Sequence, residues 1–237
     1  MKKMLLSGCS HSVGLGLNDI KKSWGNIFAK NNNYELTNVA HNGCSLQYSI
    51  QQIINKIFEE KYDTIILQLT DFCRYPIPFN GENIFFSNNI TDANKNISDV
   101  FHLNRGFYLE ANDGYKFDIK TEVINFFYEK VIYSTFYLNT VINEIYLLQQ
   151  LLKKMEIDFI LIPYDDYAWG YDSMMSIWKF ENSKKIDKTR YIDCPFMKWL
   201  KDNYNPDDFY IDKGFHLSEE GHRIFAEEYL PSFIKIN

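Results

Sequence analysis

The sequence predicts one α/β domain built around a doubly wound parallel sheet. Two short runs, 64–69 and 158–163, are almost wholly apolar, which is typical of strands covered on both faces of a parallel sheet. Segments with a 3.6-residue apolar period separate such runs, and this strand–helix alternation indicates a doubly wound sheet. A chain of 237 residues is long enough for one large domain or two small ones, and it contains no low-complexity linker.

The first half of the chain alternates strands and helices. The first strand is short and apolar and stops at Gly8, where a loop rich in Gly and Ser follows. Ser45 is placed to cap the second helix, in which apolar residues from Leu46 to Ile57 recur every three or four positions. The predicted elements are, in order, a strand over 3–7, a helix over 23–30, a strand over 35–40, a helix over 45–60 and a strand over 64–69.

Residues 72–120 break this alternation, because they hold Pro76, Pro78, many Asn and scattered aromatic residues. We interpret the segment as a lid inserted into the same domain, spanning 1–237. It leaves the sheet at the end where ligands bind, and it is too poor in periodic apolar residues to hold its own core. The elements predicted after it are a helical stretch over 121–155, a strand over 158–163, a short fifth strand over 190–193 and a helix over 218–233.

Composition and charge exclude several classes of protein. Hydrophobic residues make up 46% of the chain and the net charge is -6, so it has a core but no basic stripe for nucleic acid. No apolar run is long enough for a secretory leader or a membrane span. The four cysteines form no CxxC pair and no zinc-site spacing. We therefore expect a cytoplasmic protein with reduced thiols, no metal, and neither nucleic acid nor membrane as a partner.

Residues suited to ester chemistry follow the predicted strands, at the edge of the sheet where open α/β folds bind ligands. Gly8-Cys9-Ser10 follows the first strand, and Gly43 and Thr70 follow the second and third. His216 precedes the last helix, with Asp212 four residues before it. Acyl chemistry through a serine needs a hydroxyl, a base, a group that orients the base, and donors for the oxyanion. These positions supply all four.

These blocks resemble those of the SGNH (GDSL-like) hydrolases. Gly8-Cys9-Ser10 matches the family's first block, and Gly43 in the run NVAHNGCS matches the glycine of the second. The run QLTD at 68–71 aligns with the third block, Gly-x-Asn-Asp, and DKGFHLSEEGH at 212–222 aligns with the last. The match covers most of the chain apart from the 72–120 segment.

The resemblance implies a flavodoxin-like three-layer α/β/α fold with a central parallel sheet, and a serine esterase that uses no metal and no cofactor. It implies Ser10 as the nucleophile, His216 as the base, and the backbone N–H groups of Ser10 and Gly43 as oxyanion donors. Thr70 stands where the family has an asparagine donor, so its hydroxyl takes that place here. The family's spacing puts the orienting aspartate at Lys213, so we assign this role to the neighbouring Asp212.

Further residues near the predicted pocket have open roles. Asp71, Arg74 and Trp169 are candidate substrate contacts, since a guanidinium binds anionic groups and an aromatic face stacks on a sugar ring. A structural salt bridge is the alternative for Arg74, and we interpret His222 as a structural histidine at a helix start. The other residues that flank the pocket are His11 and His41, for which substrate contact and a plain surface position are both open.

Three functions are compatible with these residues. The first is hydrolysis of a small acyl ester, such as an O-acetyl group on a carbohydrate, with the ester as the only expected partner. The second is transfer of the acyl group from the same serine to a sugar or another alcohol, if the lid excludes water. The third is a member that binds a glycan or a protein and does no chemistry, which Thr70 and the displaced Asp212 motivate. Cys9 precedes the nucleophile position, so we do not assign the reaction to it.

Overall fold

A parallel sheet of four strands forms the centre of the protein, in a computed structural model. Its strands, in sheet order, are β2 (Tyr34–Asn38), β1 (Lys2–Ser7), β3 (Thr64–Leu69) and β8 (Asp158–Pro163). All three pairings are parallel. The structure describes residues 1–70, 75–78, 100–104, 108–111, 116–118, 135–164, 176–211 and 216–234.

Helices cover both faces of this sheet, which makes the three-layer α/β/α arrangement that the sequence predicts. On one face, α3 (Leu46–Glu59) and α4 (Thr135–Lys154) pack on alternate strand residues such as Leu5, Ile65 and Leu67. On the other face, the helices pack on the intervening residues such as Leu6 and Ile66. These helices are α2 (Trp24–Asn31), α5 (Phe196–Asn203), α6 (Glu219–Ile224), a π-helical turn (Phe225–Tyr229) and α7 (Leu230–Phe233).

Most predicted boundaries agree with the structure to within two residues, and two elements differ in kind. The predicted fifth strand over 190–193 is reduced to a single parallel bridge between Tyr191 and Leu161. The predicted final helix is interrupted by its π-helical turn. Within the predicted stretch 121–155 the described helix is α4, and residues 121–134 lie outside the described residues. None of the described helices is long and apolar enough to cross a membrane.

A second sheet lies within the 72–120 segment, where the sequence predicted no strands. Its antiparallel strands follow the chain order: β4 (Tyr75–Pro78), β5 (Val100–Asn104), β6 (Tyr108–Ala111) and β7 (Lys116–Asp118). The strands are short and interspersed with Asn, so no apolar alternation reveals them, and pairing between strands holds them together. The first of them, β4, lies beside α3 of the central domain.

Candidate active site

The turn after β1 places Ser10 at the start of a helix. The chain leaves β1 through Gly8 and Cys9 and enters α1 (Ser10–Val13), a helix of four residues. The Cys9 carbonyl accepts the N–H groups of Ser12 and Val13 at 2.9 and 3.0 Å. Ser10 is therefore the first helical residue, and a residue at that position has no acceptor for its N–H within its own helix. Ser10 is buried.

The loop after β2 is bonded to the same turn. The Gly8 carbonyl accepts the N–H of His41 at 3.1 Å and the thiol of Cys44 at 3.1 Å. Between them, Gly43 has a φ of +67°, a left-handed conformation that glycine adopts without strain. The loop then enters α3, where the Ser45 hydroxyl caps the helix by accepting the N–H of Tyr48 at 3.2 Å. Gly43 is thereby held next to the turn that carries Ser10.

His216 approaches this turn from the far end of the chain. Its carbonyl accepts the N–H of Ile211 at 2.9 Å, and its ring centroid lies 5.6 Å from that of His11. The His11 ring also stacks on that of Tyr164, with the ring centroids 3.7 Å apart and an angle of 16° between the two planes. Since His11 is the residue after Ser10, the structure brings His216 to the part of the sheet edge that holds Ser10.

Among the predicted site residues, Ser10, Gly43, Thr70 and His216 lie at the carboxyl edge of the sheet. Thr70 follows the last residue of β3 and is buried. Four predicted residues lie outside the described residues: Asp71, Arg74, Trp169 and Asp212. Their roles therefore stay predictions.

Two groups of contacts at this edge were not predicted. The stack of His11 on Tyr164 joins residues that are far apart in the chain. The second is Gln68, a fully buried glutamine in β3 that contacts α1. The sequence indicated this contact only through the presence of a glutamine near the end of the mostly apolar run TIILQL.

His222 is a buried structural histidine, as its sequence context indicated. It is only 1% exposed, and its Nδ1 accepts the backbone N–H of Trp24 at 3.2 Å, which ties α6 to α2. Burial, together with the smaller effect of the nearby His216, lowers the pKa of His222 to about 4. His222 is therefore neutral at physiological pH, in the form that its bond to Trp24 requires.

A polar group of three side chains lies between α3 and α4. The Gln47 amide donates to the Tyr137 hydroxyl at 3.1 Å, and Gln47 also bonds the carboxyl of Glu144. Burial raises the pKa of Glu144 to about 7, although the bond from Gln47 opposes this shift.

Burial lowers the pKa of His41, whose ring contacts that of Tyr48 edge-on with the centroids 5.2 Å apart. Among the described residues, no three His, Cys, Asp or Glu side chains are grouped to hold a metal ion.

A cavity of about 700 Å³ lies at the opposite edge of the sheet. It is lined by residues at the starts of the strands, including Lys2, Tyr34, Asp63 and Asp158. Ligands of open α/β folds bind at the carboxyl ends of the strands, so the position of this cavity separates it from the Ser10 region.

Several solved structures that match this fold are described as esterases or lipolytic proteins. The esterase EstA from Pseudoalteromonas sp. aligns with 98% of this chain and 96% of its own, with a TM-score of 0.57 and 10% identity. A single-residue variant of Axe2, an acetyl xylan esterase from Geobacillus stearothermophilus, aligns with 100% of this chain and 97% of its own, with a TM-score of 0.55 and 13% identity. The chain has the SGNH-hydrolase fold.

A third structure with this fold is a member of the lipolytic protein G-D-S-L family from Veillonella parvula. It aligns with 100% of both chains, with a TM-score of 0.50 and 14% identity. No protein-family model matches the chain, and no curated protein matches it. At these identities the likeness lies in the fold, and it confirms the fold that the four sequence blocks implied.

Proposed function

We propose that the protein is a serine esterase that hydrolyses a small acyl ester through an acyl-enzyme on Ser10. One observation carries the proposal: the His216 ring lies 5.6 Å from that of His11, the residue that follows Ser10 at the start of α1. A hydroxyl at a helix start and a histidine from a distant loop are the two groups that a serine esterase must bring together.

In this proposal the residues of the site divide the reaction among them. His216 takes the proton of the Ser10 hydroxyl as the Ser10 oxygen attacks the ester carbonyl, and it gives this proton to the departing alcohol. Water then attacks the acyl-enzyme; His216 takes a proton from the water and gives it to the Ser10 oxygen as the acid leaves. The N–H groups of Ser10 and Gly43 and the hydroxyl of Thr70 hold the oxyanion, and Asp212 orients His216. No cofactor is needed for these steps.

The proposed substrate is an O-acetyl group on a carbohydrate. Two of the solved structures with the same fold are described as acetyl xylan esterases, and one of these is Axe2. Trp169 follows β8 and would stack on a sugar ring, while Asp71 and Arg74 follow β3 and would bind its polar groups. We also propose a cytoplasmic setting, because the sequence has no CxxC pair and Cys9 and Cys194 are not in disulfides.

Turnover of p-nitrophenyl acetate and of an acetylated xylooligosaccharide tests the proposal. We expect Ser10→Ala and His216→Ala each to lower kcat by about 10³-fold or more. Ser183→Ala is the matched control: Ser183 is a buried serine outside the predicted site, and its hydroxyl donates to the Phe180 carbonyl at 2.7 Å. Full activity of Ser10→Ala would overturn the assignment of the nucleophile.

Thr70 supports a second candidate, a protein that binds a glycan without chemistry. Losing one oxyanion donor costs about 10²–10³ in rate in other enzymes, so a threonine in the place of an asparagine favours loss of activity. This candidate predicts glycan binding with no turnover of either ester. Acyl transfer from the same Ser10 is separated from hydrolysis by product analysis with an added sugar acceptor.

We also propose that residues 72–120 form a lid over the Ser10 site, within one domain. The segment begins two residues after Thr70, and its first strand lies beside α3, the helix that follows Gly43 in the chain. A Gly/Ser turn in place of 72–120 should leave the fold intact and change turnover of large esters more than that of p-nitrophenyl acetate. If the truncated protein unfolds, the segment belongs to the core. If turnover of neither substrate changes, the interpretation of the segment as a lid is wrong.

A further inference from the structure

We infer that Gln68 is a positioning residue that holds the Ser10 turn (residues 8–13) in place, and this inference rests on the esterase function proposed above. Gln68 lies in the second-last position of β3 and is fully buried. It faces the sheet side that carries α1, whereas its neighbours Leu67 and Leu69 face the opposite core.

The Gln68 side chain contacts the Ser10 turn from both ends. Its Oε1 accepts the hydroxyl of Ser12 at 2.5 Å and lies 3.7 Å from the thiol of Cys9, which also donates to it. Cys9 and Ser12 flank Ser10 in the chain. One amide oxygen therefore fixes the segment on either side of the proposed nucleophile.

Gly8 permits this close packing. A Cβ atom at Gly8 would lie 2.8 Å from the Cβ of Gln68 and 2.6 Å from the Ser12 hydroxyl, closer than side-chain atoms approach one another. The backbone before Ser10 thus lies directly on the Gln68 side chain. A glycine at position 8 and a glutamine at position 68 are complementary parts of one packing arrangement.

The Ser10 turn needs such support because α1 is short. A helix of four residues is not stable by itself, since few internal hydrogen bonds offset the cost of ordering it. Two neighbouring strands supply the missing contacts: from β2, the Asn38 amide donates to the Ser12 carbonyl at 2.8 Å, and from β3 comes Gln68. A displacement of about 1 Å at a reacting group can lower a rate by about 10²-fold, so these contacts bear on catalysis.

The test compares Gln68→Met with Ser12→Ala and with the double variant. Methionine keeps the length of the side chain and removes the acceptor. We expect each single variant to lower kcat for p-nitrophenyl acetate by about 10- to 100-fold with KM changed less than about 3-fold, since the contact orients Ser10 and does not bind the ester. The double variant should be no slower than the slower single variant, because both changes remove the same hydrogen bond.

Gln149→Met is the matched control. Gln149 is also a fully buried glutamine, and it bonds the backbone of Asp187, accepting its N–H at 2.8 Å and donating to its carbonyl at 3.2 Å. This variant should lower Tm and leave kcat unchanged. If Gln68→Met behaves in the same way, or if its effect on kcat adds to that of Ser12→Ala, the inference is wrong. If Gln68→Met does not fold, Ser12→Ala decides alone.

Backbone hydrogen exchange separates this inference from the esterase proposal. Gln68→Met and Ser12→Ala should speed exchange at the N–H groups of residues 12–15 by about 10-fold or more, and Gln149→Met should not. This readout does not depend on turnover. An inactive wild-type protein with this exchange pattern would refute the esterase and keep the positioning role; unchanged exchange in Ser12→Ala would refute the positioning role.

Discussion

Glu144 gives the structure a pH-dependent stability that can be calculated. Its carboxyl lies half-buried on α4 against Gln47 of α3. Within the described part of the chain, the Oε2 of Glu144 and the Oε1 of Gln47 are both buried acceptors that receive no hydrogen bond. Burial is the main cause of the raised pKa of Glu144, because it disfavours the charged carboxylate, and the bond from Gln47 offsets only part of this effect.

The size of the effect follows from the two pKa values of Glu144. Its pKa is 4.5 in an unfolded chain and about 7 in the folded protein, and the difference corresponds to about 3 kcal/mol. Between these values the folded protein holds a proton that the unfolded chain has released, so stability falls as pH rises from 4.5 to 7 and levels off above that. Because the carboxyl is only half-buried, solvent screening reduces the expected loss to about 1–3 kcal/mol.

Urea unfolding of the wild type and of Glu144→Gln at pH 5, 6, 7 and 8 measures this loss. The amide does not titrate and retains a donor for Gln47, so the variant should gain about 1–3 kcal/mol on the wild type between pH 5 and pH 8. Glu181→Gln is the control, because Glu181 is exposed and its pair with Lys184 is a surface salt bridge. Parallel curves for the wild type and Glu144→Gln would refute the reasoning.

Two further variants test other parts of the account. His222→Asn keeps an acceptor for the Trp24 N–H but cannot titrate. The pKa of His222 is about 4 in the folded protein and 6.5 in the unfolded chain, so protonation favours the unfolded chain as pH falls from 6.5 to 4. Over this range, urea unfolding should show the wild type losing up to about 3 kcal/mol of stability relative to the variant. A pH-independent difference between the two would contradict the burial of His222. Gly8→Ala forces a Cβ against Gln68 and Ser12. We therefore expect this variant to lose about 1–3 kcal/mol of stability and to lower kcat at least about 10-fold. An unchanged kcat would show that the Ser10 turn tolerates displacement.

The central sheet was predictable because local pattern and burial agree there. The apolar runs of β3 and β8 are packed on both faces of the sheet, so their composition alone fixes the predicted bounds. Ser45 marked the start of α3 for an equally local reason, its side-chain bond to Tyr48. The strands β4 to β7 were missed because antiparallel pairing, not local composition, creates them.

The site divides in the same way between local and distant contacts. The positions of Ser10, Gly43, Thr70 and His216 at the carboxyl edge of the sheet could be predicted, because each follows or precedes a recognisable element. The contact of Gln68 with Ser12 could not, because it joins residues 56 positions apart and depends on which sheet face each side chain occupies.

The most direct measurement of the central claim is the site at which a fluorophosphonate probe modifies the protein. The probe reacts with a serine whose neighbours activate its hydroxyl and bind an oxyanion. Intact mass and peptide mapping should show one adduct per chain, on Ser10, absent from Ser10→Ala, strongly slowed in His216→Ala and unchanged in Ser183→Ala. A wild-type protein that hydrolyses p-nitrophenyl acetate but carries its adduct on another residue, or carries none, would contradict the account.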